Sequence, residues 1–215
     1  MRPEDIAPTL DYEIPFWQTG SRVVAGVDEV GRGALAGPLV AAAVALPVGL
    51  GETGTALTQA LLGVRDSKQL SPRLREKLLA QVLHVAACSA VGVVPPEELD
   101  VVGLSAANRI AMERAVLALP VPPDALLLDA CIIDLGCPQV GIVDGDARCL
   151  SIAAASILAK VTRDRMMVDC HHDDPRYGFN HHKGYGTAAH IAALRKHGLS
   201  PLHRHSFACL PPAAP

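Results

Sequence analysis

Short apolar runs separated by turn residues mark the strands of this chain. The first run covers residues 22–27 and stops at two adjacent carboxylates, Asp28 and Glu29. A glycine-rich turn at 31–38, called the glycine turn below, leads into a second run at 39–46. We expect this second run to pair antiparallel with the first. Three further runs lie at 89–94, 125–128 and 140–143. Uninterrupted apolar runs of this length are typical of buried strands, so the pattern predicts a sheet.

Apolar residues that recur every three or four positions predict the helices, and small polar residues mark their starts. Ser71, followed by Pro72, predicts a helix that extends to about residue 87. Ser105, Ser151 and Thr187 predict the starts of helices that reach Leu119, Met166 and Gly198. The segments 49–58 and 171–183 contain many glycine and polar residues and predict loops.

The chain is predicted to form one domain with an appendage at each end. Residues 1–20 contain several prolines and no clear period, which predicts a loose arm docked through Phe16 and Trp17. Residues 21–210 are expected to form the domain, with a helical C-terminal region from about 165. Residues 211–215 are a Pro/Ala tail that we expect to be frayed.

The charges of this chain are unevenly distributed. The formal net charge is −3, which by itself argues against a strongly cationic nucleic-acid binder. Residues 147–215 nevertheless carry 9 Lys+Arg against 4 Asp+Glu, whereas residues 1–146 carry 10 against 18. This asymmetry predicts an acidic centre beside a basic surface, as expected for a polyanion held near bound cations. Ordinary solvated helix faces would also produce it.

The cysteine content and the hydropathy pattern predict a cytoplasmic protein. None of the 6 cysteines forms a CxxC pair, and most lie among apolar residues, where a free thiol behaves as a small hydrophobic group. No cationic segment with an apolar core precedes the first strand, so no signal peptide is predicted. The longest uncharged stretch, 33–51, contains two prolines and predicts a strand of a soluble protein rather than a membrane span.

Three of the predicted strands end in carboxylates. Asp28 and Glu29 follow the first strand, Asp129 the fourth and Asp146 the fifth. Oxygen ligands suit Mg²⁺ or Mn²⁺, and such a group could hold two ions about 3.5–4 Å apart for phosphoryl transfer. Without metal, at least one acid should have a raised pKa. The simpler alternative is a solvated strand end, or an ion pair with Arg32.

Other candidate sites are less specific. Ser67 and Lys68 precede a helix N-terminus and suit a phosphate, although a capped, solvated turn would have the same sequence. A zinc site from Cys170 to His172, or at His181 and His182, matches no standard spacing. The glycine turn lacks the Lys-Ser/Thr end of a P-loop and the third glycine of a dinucleotide fingerprint.

Seven segments of the chain together resemble the ribonuclease HII family, the type 2 ribonucleases H. Most specific are VDEVGRGALAGP at 27–38 and AAASILAK at 153–160. The other segments, in family order, are 66–68, 128–129, 145–146, 182–185 and 203–207. The resemblance implies an α/β protein with a ribonuclease H-like fold, in which helices flank a mixed five-stranded sheet and the C-terminal part is helical. It also implies cleavage of the RNA strand of RNA–DNA hybrids and incision 5′ of single ribonucleotides in duplex DNA.

The resemblance assigns roles to individual residues. Asp28, Glu29, Asp129 and Asp146 match the catalytic carboxylates that hold two Mg²⁺ or Mn²⁺ ions. Contacts with the nucleic acid are implied for Gly31, Arg32, Gly33, Ser67, Lys68, Lys160, Arg163, His182, Lys183 and Tyr185. Within this set, the glycine turn would read the ribose 2′-hydroxyl and Tyr185 would pack on the junction sugar. The products would carry 3′-hydroxyl and 5′-phosphate ends. We expect a monomer that needs no protein partner to remove misincorporated ribonucleotides.

The sequence departs from the family pattern at three positions near these segments. Ala130 replaces a usual glycine, Asp144 a usual lysine and His205 a common arginine. Asp144 adds negative charge beside the fourth acid, and register favours Asp146 as the inward residue. A non-catalytic nucleic-acid-binding module on the same fold is the alternative function. Four retained acids argue against it, because carboxylates repel phosphates unless metal bridges them.

Overall fold

The computed structural model describes residues 7–207, which are built around a mixed five-stranded sheet. The strands are β1 Val24–Val30, β2 Leu39–Ala45, β3 Cys88–Val94, β4 Ala125–Asp129 and β5 Gln139–Ile142. Their order across the sheet is β3-β2-β1-β4-β5. β1 and β3 run antiparallel to β2, and β4 runs parallel to both β1 and β5. The predicted sheet and its first antiparallel pair are confirmed, whereas the predicted tail lies outside the described residues.

Helices cover both faces of the sheet. Those within residues 7–207 are α1 Ile14–Gln18, α2 Glu52–Ala60, α3 Pro72–Val85, α4 Pro96–Val102, α5 Leu104–Leu117, α6 Gly145–Arg148, α7 Leu150–Asp173, α8 Phe179–His182 and α9 Ala188–His197. α7 crosses β1 and β2 on one face, and α5 crosses β2 and β3 on the other. Over the part of the chain that is described, no helix has the length and apolar character needed to cross a membrane.

Two glycines set how closely the central helices approach the sheet. A Cβ atom at Gly26 of β1 would lie 2.2 Å from the Ser151 carbonyl carbon of α7. A Cβ atom at Gly92 of β3 would lie 2.1 Å from the Ala111 carbonyl oxygen of α5. Neither position has room for a side chain, so helix and strand backbones are in direct contact on both faces.

Two segments predicted to be loops are largely helical. α2 occupies most of 49–58, because Leu57 turns inward and packs on the core beneath α7. In the segment 171–183, α7 continues to Asp173 and α8 follows. Tyr177 and Phe179 are buried there in a third apolar cluster, which joins the C-terminal helices to the glycine turn through Leu35 and Ala36. Both predictions were wrong because local polarity concealed these inward-facing residues.

The predicted helix caps are correct at two positions and wrong at two. The Ser71 and Thr187 hydroxyls accept hydrogen bonds from N–H groups in the first turns of α3 and α9. Ser105 and Ser151 instead lie inside α5 and α7, which begin one residue earlier. In α7 the capping acceptor is the buried Glu13 carboxylate, whose Oε1 lies 2.8 Å from the Ser151 nitrogen.

The N-terminal segment is packed rather than loose from Thr9 onward. Trp17 is 4% exposed and belongs to the core cluster beneath α7. Thr9 forms backbone hydrogen bonds with Arg148 and Leu150, at 3.0 and 2.9 Å. Together with Glu13, these contacts attach the segment to the junction between α6 and α7.

Candidate active site

The length of β1 determines how the first two acids are placed. The strand extends to Val30, beyond the predicted end, and both Asp28 and Glu29 remain paired with β2. Pairing with β4 stops at Val27, so this edge of β1 is open beside the acids. Side chains alternate along a strand, so Asp28 lies on the same face of the sheet as Gly26, the face that α7 covers. The Glu29 side chain leaves the strand on the opposite face.

The other two acids reach the same end of the sheet. Asp129 is the last residue of β4, and Asp146 lies in α6, shortly after β5. Because β1, β4 and β5 run parallel, their carboxyl ends meet at one edge. The Gly145 N–H donates to the Asp129 carboxylate at 2.8 Å, which ties the two loops together. All four acids are close enough for their charges to interact.

Asp28 is the most enclosed of these acids. Its side chain is buried, and Oδ1 accepts a hydrogen bond of 2.7 Å from the Glu29 N–H. Burial, reinforced by the charge of Glu29, raises the pKa of Asp28 well above its usual range, although a hydrogen bond from Ser156 opposes the rise. A raised pKa is the expected sign of carboxylates assembled without a cation.

Exposed cations accompany two of the other acids. Arg32 lies 3.3 Å from Glu29, and Lys68 lies 3.4 Å from Asp146. Burial still raises the pKa of Glu29, and burial together with the charge of Asp66 raises that of Asp146 to about 6. The Arg32 and Lys68 side chains are 56% and 75% exposed, so both pairs are weak and can open.

The donor chemistry of this group fits a hard divalent cation. The ligands on offer are carboxylate oxygens, the type that Mg²⁺ and Mn²⁺ prefer. Within residues 7–207, no three His, Cys, Asp or Glu side chains already converge tightly enough to hold an ion. In the present arrangement Arg32 and Lys68 occupy two of these carboxylates through ion pairs.

Asp144 and Asp146 are clearly distinguished by the structure. Asp144 is exposed and has a left-handed backbone with φ 53°, whereas Asp146 is buried and interacts with the other acids. The residue turned inward is therefore the one favoured by register. Ala130 also has a left-handed backbone, with φ 52°, at a position where the family usually has glycine.

The segment before α3, residues 66–68, lies beside the acids. Ser67 is buried, with its Oγ 2.9 Å from the Ser156 Oγ. The Asp66 carboxylate caps the following turn by accepting a hydrogen bond of 2.9 Å from the Lys68 N–H. The segment is therefore a capped turn, and it also places the exposed Lys68 amine beside Asp146.

The glycine turn is supported from behind by two arginines. Arg163, predicted to contact nucleic acid, has no exposed surface, and its guanidinium donates to backbone carbonyls. In this arrangement Arg163 supports the turn, and a direct contact with substrate would require it to break these bonds. Arg204 is equally buried and supports the same turn. The sequence alone does not distinguish Arg204, because an arginine within the polar stretch 203–207 resembles a surface residue.

The remaining predicted contact residues gather around Tyr185. The Lys160 ammonium and the Arg163 guanidinium lie 5.6 and 5.4 Å from the centre of its ring. Lys160 is also paired with Asp164 at 2.6 Å. Lys183 donates to the Asn180 carbonyl. His182, the last residue of α8, contacts the Tyr177 carbonyl through Nε2 and stacks on the ring of His190.

Comparison with known proteins agrees with this arrangement. The family model for ribonuclease HII matches residues 25–210. The chain belongs to the ribonuclease HII family. It is 49% identical over 209 residues to ribonuclease HII of Roseiflexus castenholzii, covering 97% of this chain and 92% of the relative. It is 46% identical to ribonuclease HII of Dehalococcoides mccartyi, with 97% and 96% covered. The crystal structure of ribonuclease H2 from Pyrococcus horikoshii OT3 superposes with a TM-score of 0.71 at 27% identity, covering 86% and 94% of the two chains.

This membership confirms the predicted enzyme class. The protein is a ribonuclease H, which acts on RNA–DNA hybrids. The members of the family and the solved structure cover nearly the whole of the described fold, so the sheet and its flanking helices are those of ribonucleases H.

The buried histidines of this ribonuclease H have structural roles. The Nε2 atoms of His190 and His203 lie 3.1 Å apart, and the His203 Nδ1 accepts a hydrogen bond from the Ser200 N–H at 2.9 Å. Burial lowers the pKa of His203 to about 4, so the ring is neutral at pH 7. The Nε2 of His182 is engaged by the Tyr177 carbonyl at 2.7 Å. The contact of His182 favours packing over a zinc site at His181 and His182.

A groove of about 590 Å³ opens beside Tyr185, between α3, α7 and the turn that follows α8. Basic groups from all three elements line it, among them Arg73, Lys160, Arg165 and Lys183. Glu76 and Asp164 partly neutralise these cations through ion pairs. The groove therefore places a partly neutralised basic surface beside Tyr185.

Proposed function

We propose that this ribonuclease H hydrolyses the phosphodiester on the 5′ side of ribonucleotides, including single ribonucleotides in duplex DNA, with the assistance of two Mg²⁺ or Mn²⁺ ions. The observation that carries the proposal is the buried Asp28, which the fold holds among three further carboxylates although burial, together with their repulsion, raises its pKa. A stable fold maintains such an unfavourable group where bound cations offset the repulsion.

The four acids would hold the ions, with Asp28 central because its charge interacts with those of Glu29, Asp129 and Asp146. When bound, the cations would activate water and stabilise the leaving oxygen. The chain's own part is positioning. β1 and β4 fix Asp28 and Asp129 at the sheet edge, and the Gly145 N–H holds the Asp129 carboxylate in place. Arg32 and Lys68 would leave their acids for substrate phosphates.

Ribose recognition is assigned to the glycine turn. Gly33 is exposed, and no atom stands within 4 Å of the position where its side chain would begin, so a sugar can approach the backbone closely. Tyr185, flanked by Lys160, offers a flat face for the sugar on the 3′ side of the junction. Cleavage would leave 3′-hydroxyl and 5′-phosphate ends. The cellular role would be the removal of ribonucleotides misincorporated into DNA, carried out by a monomer in the cytoplasm.

The test uses an end-labelled DNA duplex with one ribonucleotide and an all-DNA control, each incubated with Mg²⁺, Mn²⁺ or chelator. We expect metal-dependent incision 5′ of the ribonucleotide and no cut in the control. Cleavage of a long RNA–DNA hybrid but not of this duplex would support the catalytic role of the four acids. It would contradict the proposed recognition of a single ribonucleotide by the glycine turn and Tyr185. Tight binding without any cleavage would favour the non-catalytic module.

A pair of variants tests the acids specifically. Asp28→Asn removes a buried ligand and should lower the rate about 1,000-fold, because several kcal/mol of transition-state stabilisation depend on the cations. Asp144→Asn removes the same charge from an exposed neighbouring position and should stay within about threefold of wild type. Equal losses in the two variants would show that only the net charge matters.

A further inference from the structure

Two fully buried arginines hold the glycine turn entirely through backbone carbonyls. Arg204 donates to Gly37 O through Nε and Nη2, at 3.0 and 2.9 Å, and through Nη1 to Gly31 O at 2.6 Å and Arg32 O at 3.1 Å. Arg163 donates to Pro38 O, Ala36 O and Lys183 O, at 2.8, 3.0 and 2.9 Å. Neither guanidinium forms a salt bridge with a carboxylate inside the described range.

Burying two cations without a counter-ion is energetically unfavourable. Charged groups are normally left in water or paired, because desolvation costs several kcal/mol for each ion. Burial, with the charge of Arg163 adding to it, lowers the pKa of Arg204 to about 10. An arrangement kept at this cost indicates that the geometry it imposes on the turn is important.

Two glycines of the turn lie so close to Arg163 that a side chain at either position would clash with it or with its neighbour Met167. A Cβ atom at Gly31 would lie 2.4 Å from the Arg163 Nε, and Gly31 has a left-handed backbone with φ 97°. A Cβ atom at Gly37 would lie 2.2 Å from the Met167 Sδ and 3.3 Å from the Arg163 Nη2. The absence of side chains at Gly31 and Gly37 thus makes room for Arg163 and Met167. Gly33 is the one of these three glycines whose Cβ position has no neighbouring atom within 4 Å.

The direction of the peptide groups follows from the contacts with Arg204. In a trans peptide the C=O of one residue and the N–H of the next point in opposite directions, and all described peptides are trans. Since the carbonyls of Gly31 and Arg32 face Arg204, the N–H groups of Arg32 and Gly33 face away from it. Neither N–H has an acceptor within residues 7–207. Two adjacent free donors therefore point out of the turn.

We propose that Arg204 is a positioning residue for ribose recognition: it turns two successive peptide groups so that the Arg32 and Gly33 N–H groups meet the 2′-hydroxyl oxygen. Arg163 holds the other side of the turn and joins it to the backbone at Lys183, which keeps Tyr185 at a fixed distance. This inference rests on the proposed function and adds to it the residue that aligns the donors. Arg204 acts through the backbone and does not touch the substrate.

The test compares two substrates that differ by one group. Both are DNA duplexes with a single altered nucleotide at the same position, which is a ribonucleotide in one and a 2′-fluoro nucleotide in the other. Single-turnover rates give a hydroxyl-to-fluoro ratio for each enzyme. The ratio is independent of the folded fraction, so a purely structural role for Arg204 leaves it unchanged. We expect a high ratio for wild type and a ratio about tenfold lower for Arg204→Lys, equivalent to the loss of one hydrogen bond.

Arg114→Lys is the matched control. Arg114 also donates to a backbone carbonyl, that of Val93 at 2.7 Å, and pairs with Glu98, but within residues 7–207 it forms no hydrogen bond with the glycine turn. Its ratio should equal that of wild type. If Arg204→Lys does not fold, Arg163→Lys takes its place, because it loosens the same turn from the other side, and the same fall is expected.

Each result is decisive. A wild-type enzyme that cleaves neither substrate refutes the proposed function itself. Wild-type cleavage with equal rates on the two substrates shows that the 2′-hydroxyl is not read, and it overturns the inference while leaving the nuclease intact. An unchanged ratio in the folded arginine variant overturns the role of Arg204 alone.

Discussion

Replacing Gly26 with alanine should damage both stability and catalysis, and the structure sets the scale of each effect. The added methyl carbon would stand 2.2 Å from the Ser151 carbonyl carbon and 2.3 Å from the Ile152 nitrogen. Ordinary contacts begin near 3.4 Å, so α7 would have to retreat by about 1.2 Å. Both neighbours are backbone atoms, so no side-chain rotation can relieve the clash. Overpacking of this kind costs about 1–3 kcal/mol, which leaves most domains folded.

The catalytic effect follows from the position of Gly26 on β1. Asp28 is the next residue on the same face, and Ser156, whose hydroxyl lowers the pKa of Asp28, lies on the helix that must move. A displacement of about 1 Å at a catalytic group lowers rates by up to about 100-fold. We therefore expect a loss of that size in the rate per folded molecule.

Gly92→Ala provides the comparison, because its Cβ atom would lie 2.1 Å from the Ala111 carbonyl oxygen on the opposite face of the sheet. It should be destabilised to a similar degree but should cleave within about threefold of wild type, because α5 carries none of the four acids. Urea unfolding gives the stabilities, and single-turnover incision of a ribonucleotide duplex gives the rates. A Gly26 variant with wild-type stability would refute the close approach of α7. Equal rate losses in the two variants would refute the link to Asp28.

Three further predictions concern the start of α7, the acids and the backbone at Ala130. Glu13→Ala should lower the free energy of unfolding in urea by about 1–2 kcal/mol, because the α7 cap is lost, while Glu13→Gln keeps an acceptor and should lose less; equal losses would contradict this. Mn²⁺ affinity measured by calorimetry should fall as the pH drops below about 6, where Asp146 becomes protonated; constant affinity between pH 5 and 8 would argue against it. Ala130→Gly should stabilise the fold by about 0.5–1 kcal/mol, because its left-handed backbone suits glycine, and an unchanged unfolding midpoint would count against strain there.

The sequence predicted the elements whose causes are local. Apolar runs that stop at acids predicted the strands and the edge at which Asp28, Asp129 and Asp146 meet. Ser71 and Thr187 predicted helix starts because a cap and its helix are neighbours in the chain. These features depend on residues only a few positions apart, so a linear pattern contains the necessary information.

Features with distant causes could not be predicted. The start of α7 depends on Glu13, whose distance along the chain hides the cap, so Ser151 took that role in the prediction. Arg163 and Arg204 have the composition of surface residues, and only the tertiary structure shows that backbone carbonyls satisfy their charges. The continuation of β1 through Glu29 was missed because β2, and not the local sequence, keeps the strand extended.

The contact between Glu13 and Ser151 has a consequence for how this protein is made. The two residues are 138 positions apart, so at about 5–20 residues per second the ribosome delivers the second about 7–28 s after the first. During that interval the Glu13 carboxylate has no helix N-terminus to cap, although Trp17 already has apolar partners in the earlier part of the chain. The contact that caps α7 therefore forms only after most of the chain has been made. A chain truncated before α7 leaves the Glu13 carboxylate without the N–H group that it caps.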